Sequence, residues 1–209
     1  MKEILTRIET WFKKHLPEVL DSLNPAATEE EILELENQMQ FELPPSFKEL
    51  YKWHNGQMSR YYPGLFYGLE FLSLPEIHRN WQVWAQLVDE GINKDILGQS
   101  HSPGKVKEIY ASKKWIPFAY DCGGNHLGID LDPGKKGKVG QVINFGRDED
   151  VKFVFADDLE SFLNWFITQL ESGNYIISSE DEDSISFSTK NPEMSHFLDY
   201  WKVITQGKL

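Results

Sequence analysis

Three aspartates near the middle of the chain have the spacing that best suits chemistry. Asp130 and Asp132 are two positions apart on a predicted strand, so both carboxylates lie on one face of it. Asp121 lies at the end of the preceding predicted strand, beside Gly123 and Gly124, which allow close approach of the backbone. Such carboxylates can hold a divalent cation, act as a paired acid and base, or form the rim of a protein-binding surface.

The same aspartates also fit turns. Asp132 is followed by Pro133 and Gly134, and the Asp121 carboxylate can accept hydrogen bonds from the backbone of the Gly-Gly-Asn turn that follows it. Aspartate is common in turns for this reason, so the structural interpretation is favoured. If these carboxylates bind anything, protein docking is favoured over a metal ion.

The histidines and the cysteine form no recognisable catalytic or metal-binding pattern. None of the six histidines has helical metal-ligand spacing, and none lies beside the single cysteine, Cys122. Cys122 suits a small side chain in a packed turn better than a reactive thiol. No phosphate-binding loop, dinucleotide-binding pattern or serine-hydrolase elbow occurs. We therefore predict a protein that is not an enzyme and needs no metal or cofactor.

Charge and aromatic content instead indicate binding to another protein. There are 33 Asp and Glu against 21 Lys and Arg, a formal net charge of −12, which disfavours nucleic acid and suits a basic partner. The alternative is that the charge only keeps the protein soluble. The aromatic loop at Tyr61 and Tyr62 can likewise anchor a partner or cover a small core. The candidate partner-binding residues are Asp121, Asp130, Asp132, Glu149, Asp150, Trp53, Tyr61 and Tyr62.

Hydrophobic periodicity and turn signals predict the elements that position these residues. Predicted strands lie at about 69–72, 115–119, 126–131, 139–145 and 151–155. Predicted helices begin near the N-terminus, after Thr28, after Pro44-Pro45, at Pro75 and at a capping box formed by Asp157 and Glu160. The polar stretch 90–112 is expected to be the least ordered internal segment.

The order of these elements resembles the SUKH superfamily, in particular the branch of fungal Smi/Knr cell-wall synthesis regulators and their bacterial relatives. The resemblance runs from about Thr28 to Phe166 and rests on an acidic helix, LPPSFKELYKWHNG, WIPFAYDCGGNHLGIDLDP, VGQVINF and FVFADDLESFLNWF in that order. Cys122 stands where the family often has Gly or another small residue. The structural positions that match the family pattern are Leu43, Pro44, Asn55, Gly56, Trp115, Pro117, Gly123, Gly124, Asn125 and Gly140.

The resemblance implies an α+β fold, with a mainly antiparallel sheet packed by helices. We predict a helical N-terminal extension over 1–27 and a SUKH-like domain over 28–171. Residues 172–209 are predicted to be an acidic linker, a strand and an amphipathic helix opening at Asn191-Pro192, which pack on the domain. With one cysteine, no secretion signal and no long apolar run, the protein is expected to be cytoplasmic and not in a membrane.

The resemblance also implies function. For bacterial members it implies immunity to a toxin from neighbouring cells, by binding and blocking that toxin; for fungal members it implies a regulatory scaffold. We favour an immunity protein whose acidic surface covers the basic active-site cleft of a toxin, and keep the regulatory scaffold as the alternative. A metal-assisted hydrolase that uses Asp121, Asp130 and Asp132 is a remote third hypothesis.

Overall fold

Five short strands form an antiparallel sheet at the centre of the fold. The computed structural model describes residues 1–58, 63–181, 184–194 and 196–206. Its strands are β1 Glu70–Phe71, β2 Gln99–Ser100, β3 Trp115–Tyr120, β4 Asn125–Asp130, β5 Gln141–Gly146, β6 Val151–Lys152, β7 Val154–Ala156, β8 Ile176–Asp181 and β9 Ser184–Ser188. The central sheet has the order β1-β3-β4-β5-β7, and β2-β6 and β8-β9 form two small separate pairs.

Helices cover this sheet, so the predicted α+β class is confirmed. They are α1 Lys2–His15, α2 Pro17–Asp21, α3 Glu29–Met39, α4 Pro45–Trp53, α5 Leu74–Asp89, α6 Leu159–Glu171 and α7 Tyr200–Gln206, with 3₁₀ turns at Ile92–Lys94 and Phe197–Asp199. Within the described ranges, none of these helices combines the length and the apolar character needed to cross a bilayer.

The two faces of the sheet pack against different hydrophobic clusters. Ile116 and Val142 contribute to the larger cluster, whereas their chain neighbours Trp115 and Ile143 belong to a smaller cluster beneath α5. Successive side chains of a strand point to opposite faces, and here both faces are covered. Every residue of β4 and β5, and all of β3 except Tyr120, is accordingly buried, with no alternation between buried and exposed positions.

Both ends of the chain contribute to the larger cluster. Phe12 of α1 contacts Phe166 of α6 with ring centroids 6.4 Å apart, and Phe187 of β9 lies 5.8 Å from Phe12. Phe197 near the C-terminus is also buried in this cluster. The division of the chain into 1–27, 28–171 and 172–209 stays a prediction, but side chains from all three parts share one core.

The predicted cap of α6 is wrong by one residue. Asp158 is the N-cap, and its carboxylate accepts a hydrogen bond from the backbone amide of Ser161 at 2.7 Å. Asp157 instead forms ion pairs with Lys138 and Lys105. Two neighbouring aspartates both satisfy the capping pattern, and only the backbone course after β7 decides which of them caps the helix.

The stretch 90–112, expected to be poorly ordered, contains regular structure. The Asn93 side chain accepts hydrogen bonds from the backbone amides of Tyr110 and Ala111 and donates one to the Ala111 carbonyl. β2 pairs in parallel with β6, and Val106 is buried. These links join residues far apart in sequence, which is why local composition did not reveal them.

The C-terminal part differs from the prediction in two places. The expected acidic linker begins inside β8, which pairs with β9 as an antiparallel hairpin; Glu182 and Asp183 lie outside the described residues. The last helix does not open at Asn191-Pro192 but follows a 3₁₀ turn and starts at Tyr200. The predicted strand at 185–188 is present.

Replacing the cap of α6 tests the assignment of Asp158. Asp158→Ala is expected to lower the free energy of unfolding by about 1 kcal/mol, because the amide of Ser161 loses its hydrogen-bond acceptor. Asp157→Ala is the matched control and is expected to lower it much less, because exposed ion pairs contribute little. Urea denaturation measures both. Equal losses in the two variants would contradict the assignment.

Candidate functional site

Asp121 organises the β3–β4 turn (residues 121–124). Its carboxylate accepts hydrogen bonds from the backbone amides of Gly123 at 2.6 Å and Asn125 at 2.9 Å, and from the Asn125 side chain at 2.8 Å. Burial alone would raise the pKa of Asp121, but these bonds and one from His196 hold that pKa well below its ordinary value. Asp121 is therefore an ionised structural centre, as the turn interpretation predicts.

Cys122 is exposed, not buried in the turn as expected. It adopts φ 61°, in the left-handed region that glycine occupies without strain, and Gly124 follows with φ 111°. A cysteine at position 122, where the family often has glycine, therefore carries backbone strain. Nothing in this geometry assigns the thiol a reaction.

Asn125 connects the β3–β4 turn to the β5–β6 turn (residues 147–150). Its side-chain oxygen accepts a hydrogen bond from the Asp148 amide at 2.8 Å, and its side-chain nitrogen donates to the Asp148 carboxylate at 3.2 Å. The Arg147 amide also donates to the Gly124 carbonyl at 3.1 Å. Two turns that are far apart in sequence are therefore fixed together, and Asp148 shares the Asn125 side chain with Asp121.

His196 brings the C-terminal part to the same place. Its Nε2 lies 3.1 Å from the Asp121 carboxylate. The hydrogen bond to Asp121 raises the pKa of His196 above its ordinary value, against the effect of burial, and the charges of Asp121, Asp199 and Glu149 act in the same direction. Sequence reasoning missed His196 because its partner is 75 residues away and no local pattern marks such a pair.

A cleft of about 540 Å³ opens between the β5–β6 turn and residues 198–205. We call it the acidic cleft. Its apolar floor consists of the half-buried Val151 above the buried Phe153 and Leu198, and Lys202 pairs with Asp199 at 3.6 Å within it. Its lining also includes His101, Asp148, Glu149, Asp150 and Thr205. An apolar floor below several carboxylates matches a Lys or Arg side chain, whose methylene groups pack on apolar surface while its charge meets an acid.

Glu149 is held at the base of this cleft. Its carboxylate accepts a hydrogen bond from the Asn144 side chain, and burial raises the pKa of Glu149 despite that bond, with a further contribution from Asp199. Lys152 is fully buried beneath it and donates to the Glu149 carbonyl, and burial lowers the pKa of Lys152 to about 8. A cation that entered the cleft would stabilise the ionised form of Glu149, which burial disfavours.

Asp130 and Asp132 lie away from the cleft. Asp130 is the last residue of β4 and pairs with Trp115 of β3, whereas Asn125 is the first residue of β4. Asp130 is therefore separated from the β3–β4 turn by roughly 17 Å of strand. Asp130 is completely buried, and Asp132 forms an ion pair with Lys107. In the part of the chain that the structure describes, no group of three or more His, Cys, Asp or Glu could hold a metal ion. The structure does not assemble the proposed hydrolase site.

The predicted aromatic anchors lie outside this cleft or outside the described residues. Trp53 is half-buried at the end of α4, with its ring 4.7 Å from that of His54. Tyr61 and Tyr62 fall in the range 59–62, which the structure does not describe. Their role as anchors stays a prediction. Of the predicted partner-binding residues, Glu149 and Asp150 line the cleft, whereas Asp121 acts on His196 beside it together with Glu149.

The other residues that match the family pattern occupy structural positions. Asn55 accepts a hydrogen bond from the Leu74 amide at 2.8 Å. Gly56 has φ 70°, and a Cβ atom there would lie 2.3 Å from the Ser73 nitrogen. Pro117 lies at a register shift between β3 and β4, where a strand tolerates proline. Leu43 and Trp115 are buried, Pro44 is the N-cap of α4, and Gly140 has φ 88°.

The buried carboxyl of Asp130 predicts a pH-dependent stability. Burial raises the pKa of Asp130 from 3.8 to about 6, so the folded state holds this proton more tightly than the unfolded state does. The resulting destabilisation develops as pH rises from about 4 to about 6 and remains at neutral pH. Asp130→Asn cannot ionise, so we expect it to gain stability relative to the wild type across this range, by up to about 3 kcal/mol.

Thermal denaturation at about pH 4.5 and about pH 7.5 measures this difference. Asp132→Asn, on the exposed neighbour, is the control and should shift the melting temperature equally at both values. A difference between Asp130→Asn and the wild type that does not change with pH would show that Asp130 ionises normally in the folded protein.

The β3–β4 and β5–β6 turns lie in a region of the chain that matches a known protein family. A model of the SMI1 / KNR4 family (SUKH-1) matches residues 26–165, which include both turns of the site but not His196 or Asp199. "KNR4/SMI1 homolog 2" from Debaryomyces hansenii is 33% identical over 85% of this chain and 36% of its own length. "Cell wall assembly regulator SMI1" from Saccharomyces cerevisiae is 30% identical, over 86% of this chain and 42% of the relative.

A third relative, "Cell wall biosynthesis/cell cycle regulator smi1" from Schizosaccharomyces pombe, is 31% identical over 97% of this chain and 42% of its own length. This chain thus spans about two fifths of the length of the relatives it matches. The names of the Saccharomyces cerevisiae and Schizosaccharomyces pombe relatives describe regulators rather than enzymes. The match over residues 26–165 covers most of the chain, which therefore belongs to the SMI1/KNR4 family (SUKH-1).

Proposed function

We propose that this chain is a non-enzymatic, cytoplasmic regulatory module of the Smi/Knr type, which binds a basic segment of another protein in the acidic cleft. The names of the relatives, a cell wall assembly regulator and a cell wall biosynthesis regulator, support a regulatory role in cell-wall synthesis. The single observation that carries the binding site is the cleft itself, an apolar floor bordered by carboxylates from two walls.

The chemistry of the cleft indicates the kind of partner. The methylene groups of a Lys or Arg side chain would pack on the half-buried Val151, and its charged end would meet Asp150 and compete with Lys202 for Asp199. A carboxylate and a guanidinium form a charge-assisted hydrogen bond that is stronger than a neutral one. The net charge of −12 would speed the approach of a basic partner over longer distances.

Immunity to a basic toxin domain, the function favoured from the sequence, would use the same cleft and the same charges. The relatives that carry functional names are called regulators, so the regulatory scaffold has the better support. Co-expression with toxin domains encoded beside the gene separates the two functions. Protection of the cells from such a domain would favour immunity, and unchanged killing by each of them would remove it.

A chimaera tests the regulatory function. The matched region of the Saccharomyces cerevisiae regulator is replaced by this chain, and growth under cell-wall stress is measured in cells that lack the original regulator. The wild-type chimaera is expected to restore growth. A chimaera with Asp150→Lys and Asp199→Lys is expected to fail, because two cleft carboxylates become charges that repel a basic partner.

The matched control carries Glu30→Lys and Glu34→Lys on the exposed face of α3, which changes the net charge by the same amount away from the cleft. It is expected to restore growth like the wild type. Equal growth of the two charge-reversed chimaeras would exclude the cleft as the site. Failure of the wild-type chimaera, when it is present at normal levels, would contradict the regulatory function.

A further inference from the structure

The second wall of the acidic cleft is a separate C-terminal segment. Residues 196–206, here called the strap, lie beyond the region 26–165 that the family model matches. The strap supplies Leu198, Asp199, Lys202 and Thr205 to the cleft. The first wall, formed by the β5–β6 turn, lies inside the matched region. The cleft is therefore complete only when the strap is packed against the matched region.

Aromatic packing determines where the strap lies. Phe197 contacts Trp165 of α6 and Phe155 of β7, with ring centroids 6.0 and 5.8 Å apart. Trp201 contacts the same two rings at 6.4 and 6.2 Å. These side chains come from a 3₁₀ turn and a helix of seven residues, which is too short to be stable without such contacts. The strap thus depends on its docking for its own structure.

One polar contact joins His196 of the strap directly to Asp121 of the β3–β4 turn. The His196 ring donates from Nε2 to the Asp121 carboxylate at 3.1 Å, because an ionised carboxylate can only accept. The Asp121 side chain is 5% exposed, whereas that of His196 is 37% exposed and can exchange protons with solvent. The contact therefore links an accessible titratable group on the strap to a fixed, ionised carboxylate on the β3–β4 turn.

We propose that the strap opens and closes the acidic cleft, and that protonation of His196 against Asp121 controls its closure. This inference rests on the proposed function for its biological meaning, but the movement itself does not require a partner. When His196 is protonated, it forms a charge-assisted hydrogen bond with Asp121 and holds the strap closed. Closure places Asp199 and Lys202 in the second wall of the cleft, and opening removes them.

The charges that face His196 all favour the closed form at lower pH. They are Asp121 on the β3–β4 turn, Glu149 on the β5–β6 turn and Asp199 on the strap itself. When the ring loses its proton, the three carboxylates lose the positive charge among them, and only Lys202, which pairs with Asp199 at 3.6 Å, still offsets their repulsion. The folded-state pKa of His196 lies above its ordinary value of 6.5. The stabilisation is therefore complete below about 6.5 and is lost as pH rises through the higher value.

Hydrogen exchange of the whole chain, analysed by mass spectrometry at about pH 6 and about pH 8, measures strap opening directly. After correction for the intrinsic effect of pH, amides 197–205 of the wild type are expected to exchange about fivefold faster at the higher pH, which is the size of a partly exposed charged contact. In His196→Gln the same amides are expected to exchange fast at both values.

The control is His101→Gln, a histidine that lines the same cleft from the other side and stacks on Phe153. It should keep the wild-type pH dependence in the strap. Protection of the amides of β3, β4 and β5, read in the same experiment, shows that each variant is folded. Equal protection of the wild-type strap at both pH values, or an unchanged pH dependence in His196→Gln, would overturn the proposal.

The strap and the proposed function can fail separately. If the strap does not respond to pH while the chimaera works and depends on Asp150 and Asp199, the cleft is a binding site with a fixed wall and the strap proposal is wrong. If the strap responds as expected while the chimaera gives no growth, the movement exists and the regulatory function is wrong.

Discussion

A carboxylate that is removed from water must be surrounded by hydrogen-bond donors, since an isolated buried charge is too costly to keep. Asp121 meets this requirement with donors from three parts of the chain: the backbone of its own turn, the side chain of Asn125 and the ring of His196. Asn125 in turn holds Asp148. The β5–β6 turn is thus fixed to this buried charge through Asn125, and His196 adds one polar contact to a strap that aromatic packing places.

Asp121 and Asp130 show how the number of donors decides the behaviour of a buried acid. Asp121 accepts the bonds just described and has a pKa well below the ordinary value. Asp130 is more deeply buried and accepts bonds from the Asp132 amide and the Gln141 side chain, and burial dominates its pKa. The first residue therefore stabilises the fold most when ionised, and the second stabilises it most when neutral.

Local patterns were sufficient to predict the central elements but not their connections. The segments that form β3, β4 and β5 contain apolar residues and are bounded by glycine or aspartate, so their positions could be predicted with an error of about two residues. The cap of α6 was ambiguous because Asp157 and Asp158 are adjacent. The order within 90–112 depends on Asn93, whose hydrogen bonds span 17 and 18 residues, and no local signal reveals such contacts.

The sequence predicted the site residues that share one turn, but it did not predict those that come from distant parts of the chain. Glu149 and Asp150 belong to a visible acidic run, whereas Asp199 and Leu198 approach them only because Phe197 and Trp201 dock on α6 and β7.

The geometry also shows which acidic residues are structural and which are accessible to a partner, and their spacing in the sequence could not show this. Asp121 and Asp130 are buried and occupied with their own donors, so neither is available to a partner. Asp150 is exposed in the cleft and can exchange water for a cationic side chain at little cost, whereas Asp199 is half-exposed and pairs with Lys202 at 3.6 Å, so a partner's cation would compete with Lys202 for it.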